Sequence, residues 1–337
     1  MKKLVFFFLV VISGLKSSSQ VNIGHSTSPI NLYVKEHDKK VFNDLKKTIT
    51  YFVIPDNFDL KLDQVKNVIS EIWTFNKIEF VTEKEYDKKR DFFYSVDKSI
   101  IKLINNNYLN KEKFTVREDI KAVYIEFKLA LINHVIGKKG ELYPKTIAEI
   151  FFTPNIRLIR DFVHSSGLIN PLVLSMMNYK KLNQKNPEKS GYYNFDLGYI
   201  KNYLQILNTK LNKFENLKIR DGIENKVKLS ELRNQVLYTP DWILKKIDPM
   251  KSIYKNTITP EKQFKDYDFQ YKVVSNNELN TKILNKENIY YLMYTRFNQI
   301  KILSIINSLS GDVIYMTQEN SHNVKPKDLK QISKLIK

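Results

Sequence analysis

One pattern of breaks and caps occurs twice in this chain, and it limits the folds open to it. Thr48 to Ile54 is a β-branched and aromatic run that reads as a strand, and Pro55-Asp56-Asn57 ends it. Leu62, Val65, Val68, Ile69, Ile72 and Trp73 then recur at helical spacing, with Asp59 and Asp63 favouring the start. Lys77 to Val81 reads as a second strand, and Thr82 with Glu85 forms a capping-box pattern. Near the other end, Gln235 to Thr239 is a strand stopped by Pro240-Asp241-Trp242, Tyr271 to Val274 is another, and Ser275 with Glu278 repeats the box. Pro55 and Pro240 are 185 positions apart, and Thr82 and Ser275 are 193 apart. Similar offsets with the same order of elements predict an internal duplication.

The remaining elements extend the parallel. Phe92–Tyr94, 122–131 and 147–152 read as strands of the first lobe, and a helix from Asn155 to about His164 closes it. In the second, 289–294, 300–306 and 313–316 read as strands, with a turn at Ser308 to Asp312. Pro326 opens a last helix whose Leu329, Ile332, Leu335 and Ile336 share one face. The expected fold is α+β. It has two related lobes, each a mixed sheet with helices and compatible with a thioredoxin-like sandwich, joined by a helical middle region. The divisions read from the sequence are a leader at 1–19, a polar stretch at 20–46, lobes at 47–164 and 231–337, and a connector at 165–230. Tyr199 to Glu215 is the connector's amphipathic helix, and packing the two lobes together is its expected role.

Lys2 and Lys3 precede an apolar run from Leu4 to Ile12, and Ser17 and Ser19 are small residues suitably placed before Gln20. These are the three parts of a secretory signal peptide, cleaved near Ser19. The expected location is therefore periplasmic or secreted, with no transmembrane span in the mature chain. The apolar run is too short to span a bilayer, which takes about 20 residues. Cysteine is absent from all 337 residues, which excludes disulfides, thiol catalysis, thiolate metal sites and an acylated N-terminal cysteine. Nine glycines leave little scope for phosphate-cradling loops, and no cofactor is expected.

Lysine and arginine total 55 against 36 acidic residues, for a net charge of +19. Such a surplus suits an anionic envelope polymer or an envelope protein as partner. Nucleic acid is not expected, because arginine, whose planar fork reads phosphate and guanine, occurs at only seven positions.

The five histidines form no local metal motif. His134, Glu149 and His164 are catalytic candidates only if the fold brings them together, and a histidine ending a helix also complements its dipole. His164-Ser165 lacks the GxSxG context of a nucleophile elbow. Asp56, Asp59 and Asp63 lack the glycine and closing glutamate of a calcium loop. Trp242, after a strand-ending Pro-Asp, is a candidate ligand platform or a cap over the core, whereas Trp73 belongs on a buried helix face. The chain thus reads as a non-catalytic binding or envelope accessory protein. The alternatives are a hydrolase built on the separated His and Glu residues, or an electrostatic binder of anionic envelope polymers.

Tyr290 to Tyr294, Ile305 to Ser308, Gly311 to Tyr315 and Lys327 to Lys330, with Tyr51 to Asp56 and Ile72-Trp73-Thr74 in the first lobe, resemble a group of secreted, uncharacterised proteins of flavobacteria and their relatives. The resemblance covers much of both lobes and little of the middle, and its motifs are strands, turns and helix starts. It implies export into a Gram-negative envelope and brings no catalytic residue with it.

Overall fold

The computed structural model describes residues 20–26, 34–56, 61–114, 117–158, 191–248, 253–297 and 300–337. The signal-peptide segment, His164 and 165–190 of the connector lie outside these residues.

The first lobe begins with β1 (Val21–Ile23), the small pair β2 (His25–Ser26) and β3 (Val34–Lys35), and α1 (Lys39–Lys46). Next come β4 (Ile49–Ile54), α2 (Leu62–Ile72), β5 (Lys77–Thr82), and the short helices α3 (Glu83–Lys88) and α4 (Arg90–Phe93). It ends with β6 (Lys98–Phe114), β7 (Arg117–Ile136) and β8 (Leu142–Phe151). Helix α5 (Leu197–Asn212) leads to the second lobe, which opens with β9 (Ile223–Glu224), α6 (Lys226–Ser230) and β10 (Leu237–Pro240). There follow a hairpin of β11 (Lys245–Asp248) and β12 (Ile253–Thr257), then α7 (Pro260–Phe264), β13 (Tyr271–Val274) and α8 (Asn276–Leu284). The last elements are β14 (Tyr290–Phe297), β15 (Ile300–Asn307), β16 (Val313–Asn320) and α9 (Pro326–Ile336).

Each lobe holds one mixed six-stranded sheet, so the fold is α+β with two sheet-containing lobes. The strand orders are β5-β4-β6-β7-β8-β1 and β13-β10-β14-β15-β16-β9. In both, the first three strands are parallel and every later pairing is antiparallel. The two sheets therefore share order and sense, strand for strand. They differ in the central hairpin. β6 pairs with β4 only through Ile101, and β7 pairs with β8 only from Lys128 onward. The stretch between forms a two-stranded ribbon about 40 Å long at ~3.4 Å per residue, where β14 and β15 are eight residues each.

Local chemistry sets several boundaries. Thr82 and Glu85 make the full capping box, with Thr82 N donating to Glu85 Oε2 at 3.0 Å and Glu85 N to Thr82 Oγ1 at 3.2 Å. Ser275 accepts from Glu278 N at 3.1 Å, but the Glu278 carboxylate turns to Lys272 at 3.4 Å, so the second box forms only by half. α2 starts at an N-cap Lys61 that makes no side-chain cap bond, with Asp63 in its first turn.

Three sequence expectations change. Phe92–Tyr94 is a helical turn and the start of a loop, not a strand. Three apolar residues are too few to fix a period, and only Phe93 turns inward. The strand comes just after, at β6. The described parts of 20–46, residues 20–26 and 34–46, are not a polar leader: Val21, Ile23, Phe42 and Leu45 are fully buried, and β1 closes one edge of the first sheet. Finally, α5 is not amphipathic, since 13 of its 16 residues are buried.

Helix α5 lies within a single contiguous core that draws on both lobes. Its apolar residues fill that core, and its asparagines fix both lobes to it. Asn208 accepts from Thr74 N at 2.8 Å and Phe75 N at 3.0 Å on the first lobe. Asn202 donates to Ser308 O at 2.9 Å and accepts from the Tyr291 hydroxyl at 2.9 Å on the second. Just before the helix, Asn194 accepts from Thr153 N at 2.7 Å and donates to Thr295 Oγ1 at 3.1 Å, touching both lobes. Close approach needs glycine at Gly198, where a Cβ would stand 2.8 Å from Asn280 Oδ1 and 2.9 Å from its carbonyl. Gly311, at φ +75°, brings the Ser308–Asp312 turn against Asn202 and Gln205 in the same way.

Candidate functional site

The structure gives the candidate residues separate tasks. His134 pairs with Pro144 across β7 and β8, while Glu149 pairs with Ala130, four positions away along β7. At ~3.3 Å per residue that separates them by about 13 Å. Glu149 is buried and holds the buried Lys128 at 2.5 Å across the two strands. His134 is buried, its Nδ1 lying 3.4 Å from the Lys98 carbonyl and its ring edge-on to Tyr94 at 4.8 Å. Burial pushes His134 below its ordinary value, with the hydrogen bond to the Lys98 carbonyl opposing. These two residues are not brought together. Among the described residues, no three His, Asp or Glu side chains converge as metal ligands.

Trp242 is a core cap. Tyr193 stacks on its indole at 4.7 Å and 6°, and Tyr294 at 5.4 Å and 30°. Its Nε1 donates to Asn276 Oδ1 at 3.2 Å, which also accepts from the Tyr199 hydroxyl at 2.7 Å. Trp242 is only 3% exposed, so the indole offers no open ligand platform. Asn276 Nδ2 donates in turn to Asp196, whose carboxyl burial pushes up to about 6.

That shift has a consequence for stability. The folded state holds a proton on Asp196 between about pH 4 and 6 that the unfolded chain has released. Its contribution to stability is therefore present at low pH and lost as pH rises through about 6. His37, buried with Nε2 3.2 Å from the Ile147 carbonyl, acts in the opposite sense: burial pushes it down to about 4. Its folded form binds fewer protons between about pH 4 and 6.5, so its contribution rises with pH there. Asp196→Asn is expected to raise stability at pH 7 by about 1–3 kcal/mol and to change nothing at pH 4. Urea unfolding at pH 4, 5, 6 and 7 checks this; a difference from wild type that stays the same at every pH refutes it.

A second buried cluster lies in the second lobe. Lys246 donates to the Ile243 carbonyl at 3.1 Å, Gln263 Oε1 at 2.6 Å and the Val324 carbonyl at 2.7 Å. Burial lowers its ammonium to about 8, with Asp328 opposing and Lys301 assisting. All three of its protons are engaged, so Lys246 ties the β11 hairpin to α7 and to the segment before α9.

One surface combines chemistry with access. The start of β6, the end of β7 and the start of β8 meet at one end of the first sheet. There α4 turns Phe93 inward, 5.0 Å from Tyr51, which sends Phe92 and Tyr94 outward. Phe92 is 54% exposed, Tyr94 45%, Val96 48%, Ile136 65% and Tyr143 43%. Tyr94 and Ile136 lie on the His134 side of the sheet, whereas Tyr143, paired with Val135, points to its other face. The Tyr94 hydroxyl donates to the Leu142 carbonyl at 2.6 Å and ties the two tips together, with His134 packed beneath.

Cations surround this surface. Lys98 Nζ lies 4.5 Å above the Phe92 ring. Lys138 and Lys139 are exposed in the turn between Ile136 and Tyr143, while Lys145, paired with Asn133, lies on the other face of the sheet, toward His37. Nearby carboxylates are engaged: Asp97 by Lys98 at 3.1 Å, Asp87 by Arg90 at 2.7 Å, and Glu141 by the Lys139 amide at 3.0 Å. An exposed apolar patch with a polar rim is the mark of an interaction site. His134 is the residue of this region that its type marks in the sequence; the residues around it carry no such mark. Their only signal was Phe92, Tyr94 and Val96 at every second position without an element to bury them.

No known protein family, curated protein or solved structure matches this chain.

Proposed function

We propose that the chain is an exported, non-catalytic binding or accessory protein of a bacterial envelope. The observation that carries this reading is the set of exposed side chains Phe92, Tyr94, Val96 and Ile136 at one end of the first sheet, beside the exposed Lys138 and Lys139. The signal-peptide pattern supports export. The shared topology of the two sheets supports duplication of one lobe into a frame, with α5 as its shared core.

A hydrolase centred on His134 and Glu149 has no comparable support, since their side chains serve Tyr94 and Lys128. The test is expression of the full chain, tagged at its C-terminus, in a Gram-negative host, followed by fractionation and crosslinked recovery. The expected result is a shortened chain in the envelope or periplasm, with reproducible envelope partners. Retention of the uncut chain in the cytoplasm overturns the reading.

A further inference from the structure

We infer that the mature chain begins with a pyroglutamyl residue formed from Gln20, and that the fold buries this neutral terminus between its lobes. The inference rests on the reading of an exported chain cut before Gln20 and goes beyond it. Three observations carry it. Gln20 is fully buried, as are Val21, Asn22 and Ile23 after it. The strand they open is held from both edges. On one side Phe151 N donates to Gln20 O at 2.9 Å, and Val21 pairs with Ile150. On the other, Ile23 and Leu217 exchange backbone bonds at 2.8 and 3.1 Å, and Ile219 N donates to Asn22 at 2.9 Å. The Gln20 side chain reaches the second lobe, where its Nε2 donates to the buried Ser304 Oγ at 3.5 Å. Among the described residues its buried Oε1 meets no donor.

Cleavage before Gln20 turns a neutral amide nitrogen into an α-amine, which is protonated at pH 7 because its ordinary value is about 7.7–8.0. A fully buried ammonium is costly without a counter-charge. Glu149, opposite Asn22 in the register and on the same face as Gln20, is engaged by Lys128 at 2.5 Å. An intact glutamine amide fits no better. It brings two donors and a carbonyl, and among the described residues one long bond receives them. Ring closure removes both problems. The α-amino nitrogen attacks the side-chain Cδ, the N–Cδ bond forms, and the Cδ–Nε2 bond breaks. Nε2 leaves as ammonia with the proton given up by the α-amine, so the step needs no oxidant, reductant or water. The product is an uncharged lactam with one N–H and one carbonyl. Because Cδ folds back on its own backbone nitrogen, closure precedes the docking of β1.

The experiment is expression of the full chain, with its own leader and a C-terminal tag, in a Gram-negative host, with and without an exported glutaminyl cyclase. Intact mass and the N-terminal peptide are read on the freshly isolated chain. The expected mass with the cyclase is that of residues 20–337 plus the tag, less one ammonia. Sequential degradation should find the terminus blocked until pyroglutamyl aminopeptidase, acting on the unfolded chain, exposes Val21. Chain that keeps its free amine without the cyclase, and Gln20→Ala, which cannot close a ring, are both expected to unfold at a urea midpoint on the order of 0.5 M lower.

A terminus at Gln20 that keeps its amine in the presence of the cyclase overturns the inference. So do equal urea midpoints for the blocked and free chains. An exported chain cut at another bond also overturns it and leaves the export reading standing. An uncut chain in the cytoplasm removes that reading and the inference with it.

Discussion

Lys301→Met is expected to destabilise the protein by about 3–5 kcal/mol, the largest effect of any single substitution considered. Lys301 is fully buried, and its ammonium meets Asp328 at 2.5 Å and Glu319 at 3.2 Å. Asp328 is itself buried at the third position of α9 and accepts from Lys325 N at 2.7 Å, so it also caps that helix. Removing the lysine leaves a buried carboxylate without its main counter-charge, and that residual charge accounts for most of the loss. Lys301→Met combined with Asp328→Asn removes both charges and keeps an acceptor for Lys325 N. The double variant is therefore expected to recover most of the stability. Guanidinium unfolding of the two singles and the double completes the cycle. A loss below about 1 kcal/mol for Lys301→Met, or a double variant worse than both singles, rejects the argument.

The second large effect concerns how the lobes unfold. Asn194→Ala removes the acceptor for Thr153 N and the donor to Thr295, and Asn208→Ala strands the amides of Thr74 and Phe75. Buried amides left without partners cost about 1–3 kcal/mol each. The double variant should lose several kcal/mol and, more tellingly, its single transition. The sequence supplies the probes, because Trp73 reports on the first lobe and Trp242 on the second, and there are no others. Trp73→Phe and Trp242→Phe backgrounds isolate each signal. Coincident urea midpoints are expected in the wild-type clamp, and separated midpoints once both asparagines are gone. Midpoints that stay together in the double variant show that the shared apolar core alone couples the lobes.

Elements whose cause lies within a few residues were legible. The Thr82–Glu85 box, the Pro-Asp stops after β4 and β10, and Pro326 before α9 each act over one turn of chain. The start of β6 was missed for a physical reason. Lys98, Ser99, Ile100, Ile101 and Lys102 carry no clean alternation, because Ile100 and Ile101 are both buried, one on each face of the sheet. Residues 20–26 look polar, yet Asn22 is a buried bond-maker that accepts from Ile219 N at 2.9 Å. Its partner is 197 positions away, and no local pattern reaches that far.

The site followed the same division. His134 was visible as a residue type, but its use depends on Tyr94 and Lys98, which the chain places far from it. Trp242 is legible in the sequence as a platform or a core cap, and only its burial against Tyr193 and Tyr294 decides for the cap.

From the sequence alone came the α+β class, the doubled order of elements, the basic surplus and the lack of thiol chemistry. Composition, capping and periodicity carry these, and all three act locally or by summation. Tertiary structure alone decided that α5 is a core helix gripping both lobes, that Lys301 and Asp328 share a buried site, and that Phe92, Tyr94, Val96 and Ile136 remain exposed. Burial depends on what the rest of the chain covers. The same phenylalanine is core at Phe93 and surface at Phe92, one residue apart.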